Sequence, residues 1–398
     1  MNPPGGADIV LVGGGHAHVH VLRAFAMRPE PGVRLTLITR ELATFYSAML
    51  PGVVAGLYTP EQAHIDLKRL TAATGARLIH GEAVGLDRAN KHVSIANRSP
   101  IPYDVVSLDV GITPALAPIA GASEHGIAVK PIGRFMSKFD ALLARCRSSD
   151  GPQRIGVIGG GAGGVELLLS VHARLLKDVN LFGRRGAVPC FALVTAGEIL
   201  DTHNRRVRDA FRRLLLSRGI ELHEHRRVLA VTAGAIELEG GSTVKADAVL
   251  VATDAAAPGW FAKTGLLLAP GGFIAVNSAL QTLNDPDVFA AGDCAAMVAS
   301  PREKAGVFAV RSGPPLAENL RRRAGGRAPT VWRPQRRHLT LISTGERHAV
   351  ASRAWFKAEG AWVWRLKDFI DRRWMRMHQD VKPPPAESRG HPEHTIED

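Results

Sequence analysis

Two glycine-rich turns restrict the fold of this chain more than any other feature of its sequence. The first reads Gly13-Gly-Gly-His-Ala-His18, and the second, 146 residues later, reads Gly159-Gly-Gly-Ala-Gly-Gly164. Each follows a short apolar run and precedes an amphipathic stretch, which indicates a strand, a tight turn and a helix. Glycine permits the bend and lets backbone N–H groups approach a phosphate, and the helix N-terminus favours the anion. The pair therefore predicts two bound dinucleotides.

The two turns differ in their glycines. Gly159, Gly161 and Gly164 occupy all three positions of the Gly-x-Gly-x-x-Gly pattern in the second turn. The first turn has the first two glycines, but His18 stands where a glycine or alanine usually lets the helix pack closely on the strand. We therefore expect an atypical first site. For each turn, the alternative is a glycine-rich bend that binds no ligand.

The alternation of strands and helices predicts the fold class. Apolar strands alternate with helical stretches over residues 8–108, and a second alternating unit runs from about 154 to 253. Such alternation is typical of a parallel sheet with crossover helices. We predict an α/β fold with two Rossmann-like dinucleotide-binding domains, the first discontinuous, and a small C-terminal α+β domain. The predicted ranges are 1–113 with 271–328, 114–270, 329–377, and a disordered tail over 378–398.

Composition and cysteine usage indicate a globular cytoplasmic protein. The 398 residues carry a formal charge of +13, which suits dinucleotides or an acidic membrane surface. No nucleic-acid-binding motif accompanies that charge, so no nucleic-acid partner is expected. Cys146, Cys190 and Cys294 lie far apart, which argues against a disulfide scaffold or a zinc site, and no metal is expected. No apolar run is long enough to span a membrane, and no signal peptide is expected before the first strand.

In its motifs the chain resembles the pyridine nucleotide-disulfide oxidoreductases, flavoproteins with two dinucleotide-binding domains. Among these it is most similar to type II NADH dehydrogenases, and especially to the flavoprotein module that some bacteria fuse ahead of selenide, water dikinase. The resemblance covers about residues 8–377. It implies FAD in the first domain and NADH or NADPH in the second. The segments that carry the resemblance are the first turn, Tyr46-Ser-Ala-Met-Leu-Pro-Gly52, Ala290-Ala-Gly-Asp293 and Lys304-Ala-Gly-Val307.

The resemblance also implies roles for particular residues. Asp293 would bind the flavin ribityl chain, and Lys304 with the helix that follows would stabilise negative charge on the reduced flavin. Glu166 would accept a hydrogen bond from the carboxamide of the nicotinamide. The alternatives are an exposed lysine and a glutamate placed only by the helix dipole. The expected catalytic residues are Glu166 and Lys304, and the expected cofactor-binding residues are Gly13, Gly15, His16, Ala17, Thr39, Arg40, Ser47, Met49, Pro51, Val84, Gly111, Gly159, Gly161, Gly164, Thr253, Gly292, Asp293, Ala305 and Gly306.

Departures from the family pattern affect both nucleotides. Thr39 replaces the acid that usually binds the adenosine ribose, and Thr195 stands at the comparable place of the second domain. The choice between NADH and NADPH therefore stays open. Arg184 and Arg185 are either partners of a 2′-phosphate or residues of a solvated loop. Asp254 replaces the glycine of an Ala-Thr-Gly turn, which would impair nicotinamide binding.

Cysteines and the last predicted helix bear on the electron acceptor. No cysteine pair lies in the 45–70 region that carries it in disulfide reductases, and Cys294 is best explained as a small packed residue. Hydride transfer from NAD(P)H to flavin, with electrons passed to a quinone or similar non-thiol acceptor, is therefore favoured. The alternatives are a flavoprotein serving selenium metabolism and a non-catalytic flavin sensor. The helix predicted at 360–377 interleaves tryptophans with arginines, which suits peripheral contact with the inner face of a membrane, or a core or homodimer contact.

Overall fold

The computed structural model describes residues 6–114, 116, 118–148, 151–182, 188–253 and 255–381. The α-helices of these residues lie mainly in crossover connections between strands. They are α1 (His16–Met27), α2 (Leu50–Val54), α3 (Leu67–Thr74), α4 (Ala122–His125), α5 (Ile132–Cys146), α6 (Ala162–Phe182), α7 (Arg205–Ser217), α8 (Gly306–Ala324) and α9 (Ala361–Gln379).

Most strands are short and are grouped into a few separate sheets. They are β1 (Ala7–Val12), β2 (Val33–Thr39), β3 (Ala43–Phe45), β4 (His64–Asp66), β5 (Arg77–His80), β6 (Ala83–Asp87), β7 (His92–Ile95), β8 (Ile101–Pro102), β9 (Val105–Leu108), β10 (Thr113–Pro114), β11 (Gly126–Ala128), β12 (Arg154–Ile158), β13 (Cys190–Val194), β14 (Glu221–His223), β15 (Val228–Val231), β16 (Ala235–Leu238), β17 (Thr243–Lys245), β18 (Ala248–Val251), β19 (Ala255–Ala256), β20 (Leu268–Ala269), β21 (Phe273–Val276), β22 (Gln281–Thr282), β23 (Asp285–Ala290), β24 (Ala295–Met297), β25 (Thr340–Ser343), β26 (Ala349–Arg353) and β27 (Phe356–Gly360).

Five parallel strands form the centre of the first sheet, in the order β23-β9-β1-β2-β5. Strands β20 to β22 extend this sheet beyond β23, and β24 pairs with β21. The chain therefore leaves the sheet after β9 and rejoins it at β20. The last four residues of β1 are buried, as expected for a strand covered by helices on both faces.

The second sheet repeats this arrangement with five parallel strands in the order β11-β18-β12-β13-β14. In it β12 lies between β13 and β18, just as β1 lies between β2 and β9 in the first sheet. Each central strand runs into one of the two glycine turns. The prediction of an α/β fold with two Rossmann-like halves is confirmed, whereas the residue boundaries of the domains stay a prediction.

The C-terminal unit is α+β, as predicted from the sequence. Strands β25, β26 and β27 form an antiparallel sheet, and α9 packs against β26 and contacts α1. Residues 349–353 form β26, whereas β27 was not anticipated from the sequence. Few side chains of β27 are buried, so its sequence shows little of the apolar signal that marks the other strands.

The expected start of a disordered tail at His378 is wrong. His378 lies in the last turn of α9 and is only 2% exposed. Its ring packs on Trp374 with centroids 4.3 Å apart, and its Nδ1–H donates to the Trp374 carbonyl oxygen at 2.8 Å. The His378 ring also lies 5.8 Å, centroid to centroid, from the ring of His20 on α1. Residues 382–398 lie outside the described part of the chain.

Candidate functional site

Both glycine turns have the same backbone geometry. Gly13 has φ +96°, and a Cβ there would lie 2.4 Å from the Asp109 carbonyl oxygen. Gly159 has φ +122°, and a Cβ there would lie 2.3 Å from the Ala252 carbonyl oxygen. Only glycine tolerates both the positive φ and this approach of a neighbouring strand. Asp109 in the first half and Ala252 in the second therefore occupy corresponding positions.

The middle glycines match as well. A Cβ at Gly14 would lie 3.3 Å from the Thr39 hydroxyl, and one at Gly160 would lie 2.5 Å from the Thr195 hydroxyl. Thr39 and Thr195 thus face the corresponding turn from the end of the second strand of each half. This is the edge of a parallel sheet where nucleotides bind in such folds.

Asp109 is a buried carboxylate that the sequence analysis did not single out. Its Oδ2 accepts hydrogen bonds from the backbone N–H groups of Ala17 at 2.9 Å and His18 at 3.2 Å, in the first turn of α1. Its exposed fraction is 3%. Burial raises the pKa of Asp109 to about 7, against the lowering effect of the two N–H donors. The signal that could have identified it is a charge within the apolar stretch after β9.

His18 has a structural explanation for its place in the first turn. Its Nδ1 lies 2.7 Å from the Gly13 carbonyl oxygen and its Nε2 lies 2.8 Å from the Ser107 hydroxyl. Because a carbonyl only accepts, Nδ1 carries the hydrogen and Nε2 accepts from Ser107. Burial lowers the pKa of His18 to about 4, which agrees with this neutral form. At the corresponding position of the second turn, a Cβ on Gly164 would lie 2.0 Å from the Gly159 carbonyl oxygen.

Asp293, the residue expected to bind the ribityl chain, lies at the carboxyl end of the first sheet. Its carboxylate pairs with Lys130 at 3.1 Å, a partner that sequence reasoning missed and that no local motif marks. Gly292 has φ +65°, and a Cβ there would lie 2.2 Å from Oδ1 of Asp109. Glycine at 292 thus allows Asp293 and Asp109 to approach the same turn.

Lys304 is placed before a helix rather than within one. Helix α8 begins at Gly306 with Ala305 as its N-cap, so Lys304 lies two residues before the helix. The Lys304 ammonium donates to the Ala295 carbonyl oxygen and lies 4.0 Å from the centroid of the Phe273 ring. Burial lowers its pKa. It is therefore not the freely exposed lysine of the alternative, and its role towards flavin stays a prediction.

Each turn carries one buried polar atom without a partner among the described residues: Nε2 of His16 in the first, and Oγ1 of Thr253 beside the second. Such atoms are unusual in folded proteins unless a ligand or water satisfies them. His16 also packs against Tyr46 and Trp374, with ring centroids 5.5 Å away in both cases. The glycine cradles and these two atoms fit a dinucleotide at each turn.

The remaining predicted residues lie in different surroundings. Gly111 has φ +73° with open space beside it. Thr39 is buried and its hydroxyl donates to the Glu41 carbonyl oxygen, whereas Arg40 is exposed and pairs with Glu82 at 3.4 Å. Val84 is 45% exposed on β6. Arg184, Arg185 and Asp254 lie outside the described residues.

Several of the predicted residues converge where the start of α8 meets the segment before α2. A Cβ at Gly306 would lie 3.4 Å from the Ser47 hydroxyl, which brings the start of α8 against the segment before α2. Met49 and Pro51 are buried there, Met49 at 1% exposure. Their side chains therefore contribute packing at this junction.

Glu166 lies in a buried network of ionisable groups rather than at a simple helix start. Its Oε1 accepts from the backbone N–H of Ser343 at 2.6 Å. Burial raises the pKa of Glu166 to about 7, although Lys367 lowers it in part. Lys367, in turn, donates to the Ala48 carbonyl oxygen and to Asp371, both at 2.7 Å.

The rest of this network changes the interpretation of the last helix. Asp371 also hydrogen-bonds the hydroxyl of Tyr46. Burial alone would lower the pKa of Lys367, but Asp371 and Glu166 raise it above its usual value. Lys367 and Trp374 are therefore internal residues, which agrees with the alternative of a core contact for this part of the helix. The pair Lys367–Asp371, four residues apart within the amphipathic helix α9, is the sequence signal that was missed.

Comparison with known proteins gives the class to which this fold and site belong. The family profile for pyridine nucleotide-disulphide oxidoreductases matches residues 7–323. The chain therefore belongs to the pyridine nucleotide-disulphide oxidoreductase family. Members of this family are FAD-dependent and bind NADH or NADPH, so the two predicted cofactors are confirmed at this level.

Curated proteins and solved structures are among those similar to this chain. The chain is 26% identical over 253 residues to subunit epsilon of the NADH-dependent phenylglyoxylate dehydrogenase of Aromatoleum evansii. The match covers 61% of this chain and 55% of that protein, so the chain spans about half the length of this relative.

The solved structures show the fold that the chain shares. The sulfide:quinone oxidoreductase of Aquifex aeolicus superposes with a TM-score of 0.78 at 18% identity, over 96% of this chain and 93% of that one. NDH2 of Plasmodium falciparum, solved with NADH, superposes with a TM-score of 0.71 at 14% identity, over 95% of this chain and 99% of that one. The likeness to type II NADH dehydrogenases is thereby supported in fold, and the likeness to the module fused to selenide, water dikinase stays a prediction.

Proposed function

We propose that this protein is an FAD-dependent NAD(P)H dehydrogenase that passes electrons to a quinone or a similar acceptor that is not a thiol. The observation that supports it most is the presence of two matching nucleotide turns in a chain whose three cysteines form no pair. FAD, when bound, supplies the two-electron relay between NAD(P)H and the acceptor. The protein's own residues bind, orient and carry protons.

The cysteines argue against thiol chemistry. Cys294, the one beside Asp293, is fully buried, and its thiol donates to the Ala291 carbonyl oxygen at 3.2 Å. Burial raises the pKa of the Cys294 thiol to about 12, so the reactive thiolate is scarce at neutral pH. Cys146 is also buried and Cys190 is exposed, and neither has a second cysteine beside it. A non-thiol acceptor is the consistent choice.

Glu166 is the residue best placed to carry a proton in this reaction. Reduction of a quinone by NAD(P)H consumes one proton from solution, because the nicotinamide delivers one hydride and the quinol carries two hydrogens. Since Oε1 of Glu166 accepts from Ser343, a proton bound by this carboxyl is held at Oε2. A pKa near 7 lets the group take up and release that proton at neutral pH.

Anaerobic reduction of the purified holoprotein tests the proposal. NADH or NADPH should bleach the flavin absorbance within the mixing time of a stopped-flow experiment or soon after, and ubiquinone should restore it. Bleaching by neither nucleotide would contradict the dehydrogenase and favour the flavin sensor. Bleaching that a disulfide substrate reverses but quinones and dyes do not would contradict the acceptor class.

The C-terminal unit carries an exposed apolar face that supports peripheral membrane contact as a further proposal. The structure has no α-helix, among its described residues, that is long and apolar enough to cross a membrane. The apolar face consists of Trp355, Phe356, Trp362, Leu366, Phe369 and Ile370. The exposed Arg365, Arg373 and Arg376 flank this face, as suits an anionic lipid surface.

Flotation with vesicles distinguishes a membrane from a second copy of the chain at this face. The protein should float with vesicles that contain anionic phospholipid, and Phe369→Ser should reduce the bound fraction severalfold. Leu216→Ser on α7 is the matched control, because Leu216 is 78% exposed and is not one of the residues of the apolar face. A dimer that forms without lipid and is broken by Phe369→Ser would favour the homodimer instead.

A further inference from the structure

Besides His18, one further position distinguishes the two turns, and a carboxylate occupies it in the first. A Cβ at Gly161 would have nothing within 4 Å, which leaves open space at the start of α6. A Cβ at the corresponding Gly15 would lie 2.2 Å from the carboxylate of Asp109. In the second half, Ala252 stands at the place of Asp109 and carries no charge. The first turn thus already holds an internal anion where dinucleotide folds receive a pyrophosphate.

We infer that Asp109 links FAD binding to proton uptake, because its carboxylate must be neutral for the pyrophosphate to bind at the start of α1. The inference rests on FAD at the first turn, not on the electron acceptor. Protonation also changes what Asp109 offers, since an ionised carboxylate only accepts hydrogen bonds, whereas a carboxylic acid donates one. A neutral Asp109 therefore adds a donor where the ionised form adds a second negative charge.

The groups that face Asp109 do not neutralise it. Asp293 adds a further negative charge, and its own partner Lys130 is engaged with it at 3.1 Å. His18 presents backbone N–H to Asp109 while its ring bonds Ser107 and Gly13. The other titratable neighbours are His16, whose pKa burial lowers to about 4, the buried Cys294 thiol, and Lys304, whose ammonium bonds Ala295.

The direction of the pH effect follows from these charges. Burial holds the pKa of Asp109 at about 7 in the protein without flavin. A nearby pyrophosphate disfavours the ionised form and raises that pKa further. At pH values between the pKa of Asp109 in the flavin-free protein and its higher pKa in the FAD complex, FAD binding takes up a proton. The affinity for FAD therefore falls as the pH rises through this range. Well below pH 7, Asp109 is already protonated in both states and affinity no longer depends on pH.

A purely structural role makes a different prediction. Asp109 caps two N–H groups of α1 from 92 and 91 residues away, which would by itself explain a buried carboxylate. Such a cap accepts better when ionised, so it would favour higher pH or leave FAD affinity unchanged. Proton uptake on flavin binding is the measurement that separates the two.

FAD titration of the flavin-free full chain tests the inference, with flavin fluorescence read between pH 6 and pH 8.5. For the wild type, Kd should rise with pH above 7, approaching about tenfold per pH unit. Calorimetry in two buffers of different ionisation enthalpy should show net proton uptake near pH 8. Asp109→Asn, which retains one acceptor and never ionises, should bind FAD with a Kd constant within about twofold over this range.

Asp247→Asn is the matched control, because Asp247 also accepts two backbone N–H groups, from Gln153 and Arg154, but at the start of β12. It should keep the pH dependence of the wild type. An equal Kd for wild type at pH 6 and pH 8.5, proton release on binding, or the same slope in Asp109→Asn would overturn the inference, as would no FAD binding at any pH. If the slope and uptake appear but quinone is not reduced, the inference stands and the proposed function is wrong.

Discussion

The two glycine turns share a backbone but differ in what fills them. Gly13 and Gly159 have the same handedness and the same close approach to a neighbouring strand. In the first turn a charged side chain, Asp109, and an imidazole, His18, replace the alanine and glycine of the second. The comparison teaches that backbone geometry makes a nucleotide site, while one or two side chains at its floor set the conditions under which it is occupied.

The largest expected effect comes from closing the second turn. Gly159→Ala places a methyl 2.3 Å from the Ala252 carbonyl oxygen at φ +122°, which should cost about 3 kcal/mol and lower kcat/KM for NAD(P)H about a hundredfold or more. Flavin content, measured by absorbance, should stay near that of the wild type because the first turn is untouched. Gly161→Ala, in open space, serves as the folding control and should keep the wild-type Tm. Equally fast flavin bleaching in Gly159→Ala would mean that the second turn does not bind the nicotinamide nucleotide.

Transferring the charge from one turn to the other should have the next largest effect. Ala252→Asp puts a carboxylate at the place that Asp109 has in the first half. Repulsion of the NAD(P)H pyrophosphate by about 2 kcal/mol should weaken binding roughly thirtyfold at pH 8, and less at pH 6. Binding can be followed by nucleotide fluorescence, with Ala252→Asn as the uncharged control of similar size. If both variants weaken binding equally at both pH values, size rather than charge distinguishes the two turns.

Glu166→Gln tests the proton carrier at the second turn. Because the pKa of Glu166 is about 7, the wild-type rate of quinone reduction should fall as the pH rises through 7 and the group loses its proton. The variant should be slower by about tenfold at pH 6.5 and should lack this pH dependence. Glu224→Gln is the control, because it removes a carboxylate that pairs with Arg212 of α7 directly after the edge strand β14 of the second sheet. A retained pH profile in Glu166→Gln would assign the titration to another group.

The smallest effect should follow from removing the thiol beside Asp293. Cys294→Ala should keep NAD(P)H oxidation within about twofold, since the thiol is buried and its pKa is raised to about 12. The cost should appear in stability instead, as a Tm lowered by a few degrees from the small cavity. A loss of activity with intact flavin content would show that this thiol takes part in the reaction at the first turn.

Much of the site followed from local patterns. Glycines at fixed spacing after an apolar strand identified both turns, and the Gly292-Asp293 segment marked the end of a sheet strand. Such patterns report what a segment does over a few residues, and backbone geometry at a turn is decided over that distance. Asp109 and Lys367 were missed because the local pattern does not distinguish them. In the sequence, Asp109 is a charge in an apolar stretch and Lys367 is a charge in an amphipathic helix.

The sequence by itself determined the α/β architecture, the two turns and the family, because strand, helix and turn signals are local and recur with a fixed period. Only the tertiary structure decided that the Asp109 carboxylate caps α1 beside Gly15, and that Lys367 joins Glu166 and Asp371 in the interior. The contacts of Asp109 with α1 and of Lys367 with Glu166 join segments that lie about 90 and 200 residues apart in the chain. Their energies depend on burial and on neighbouring charges, which exist only once the sheets have packed.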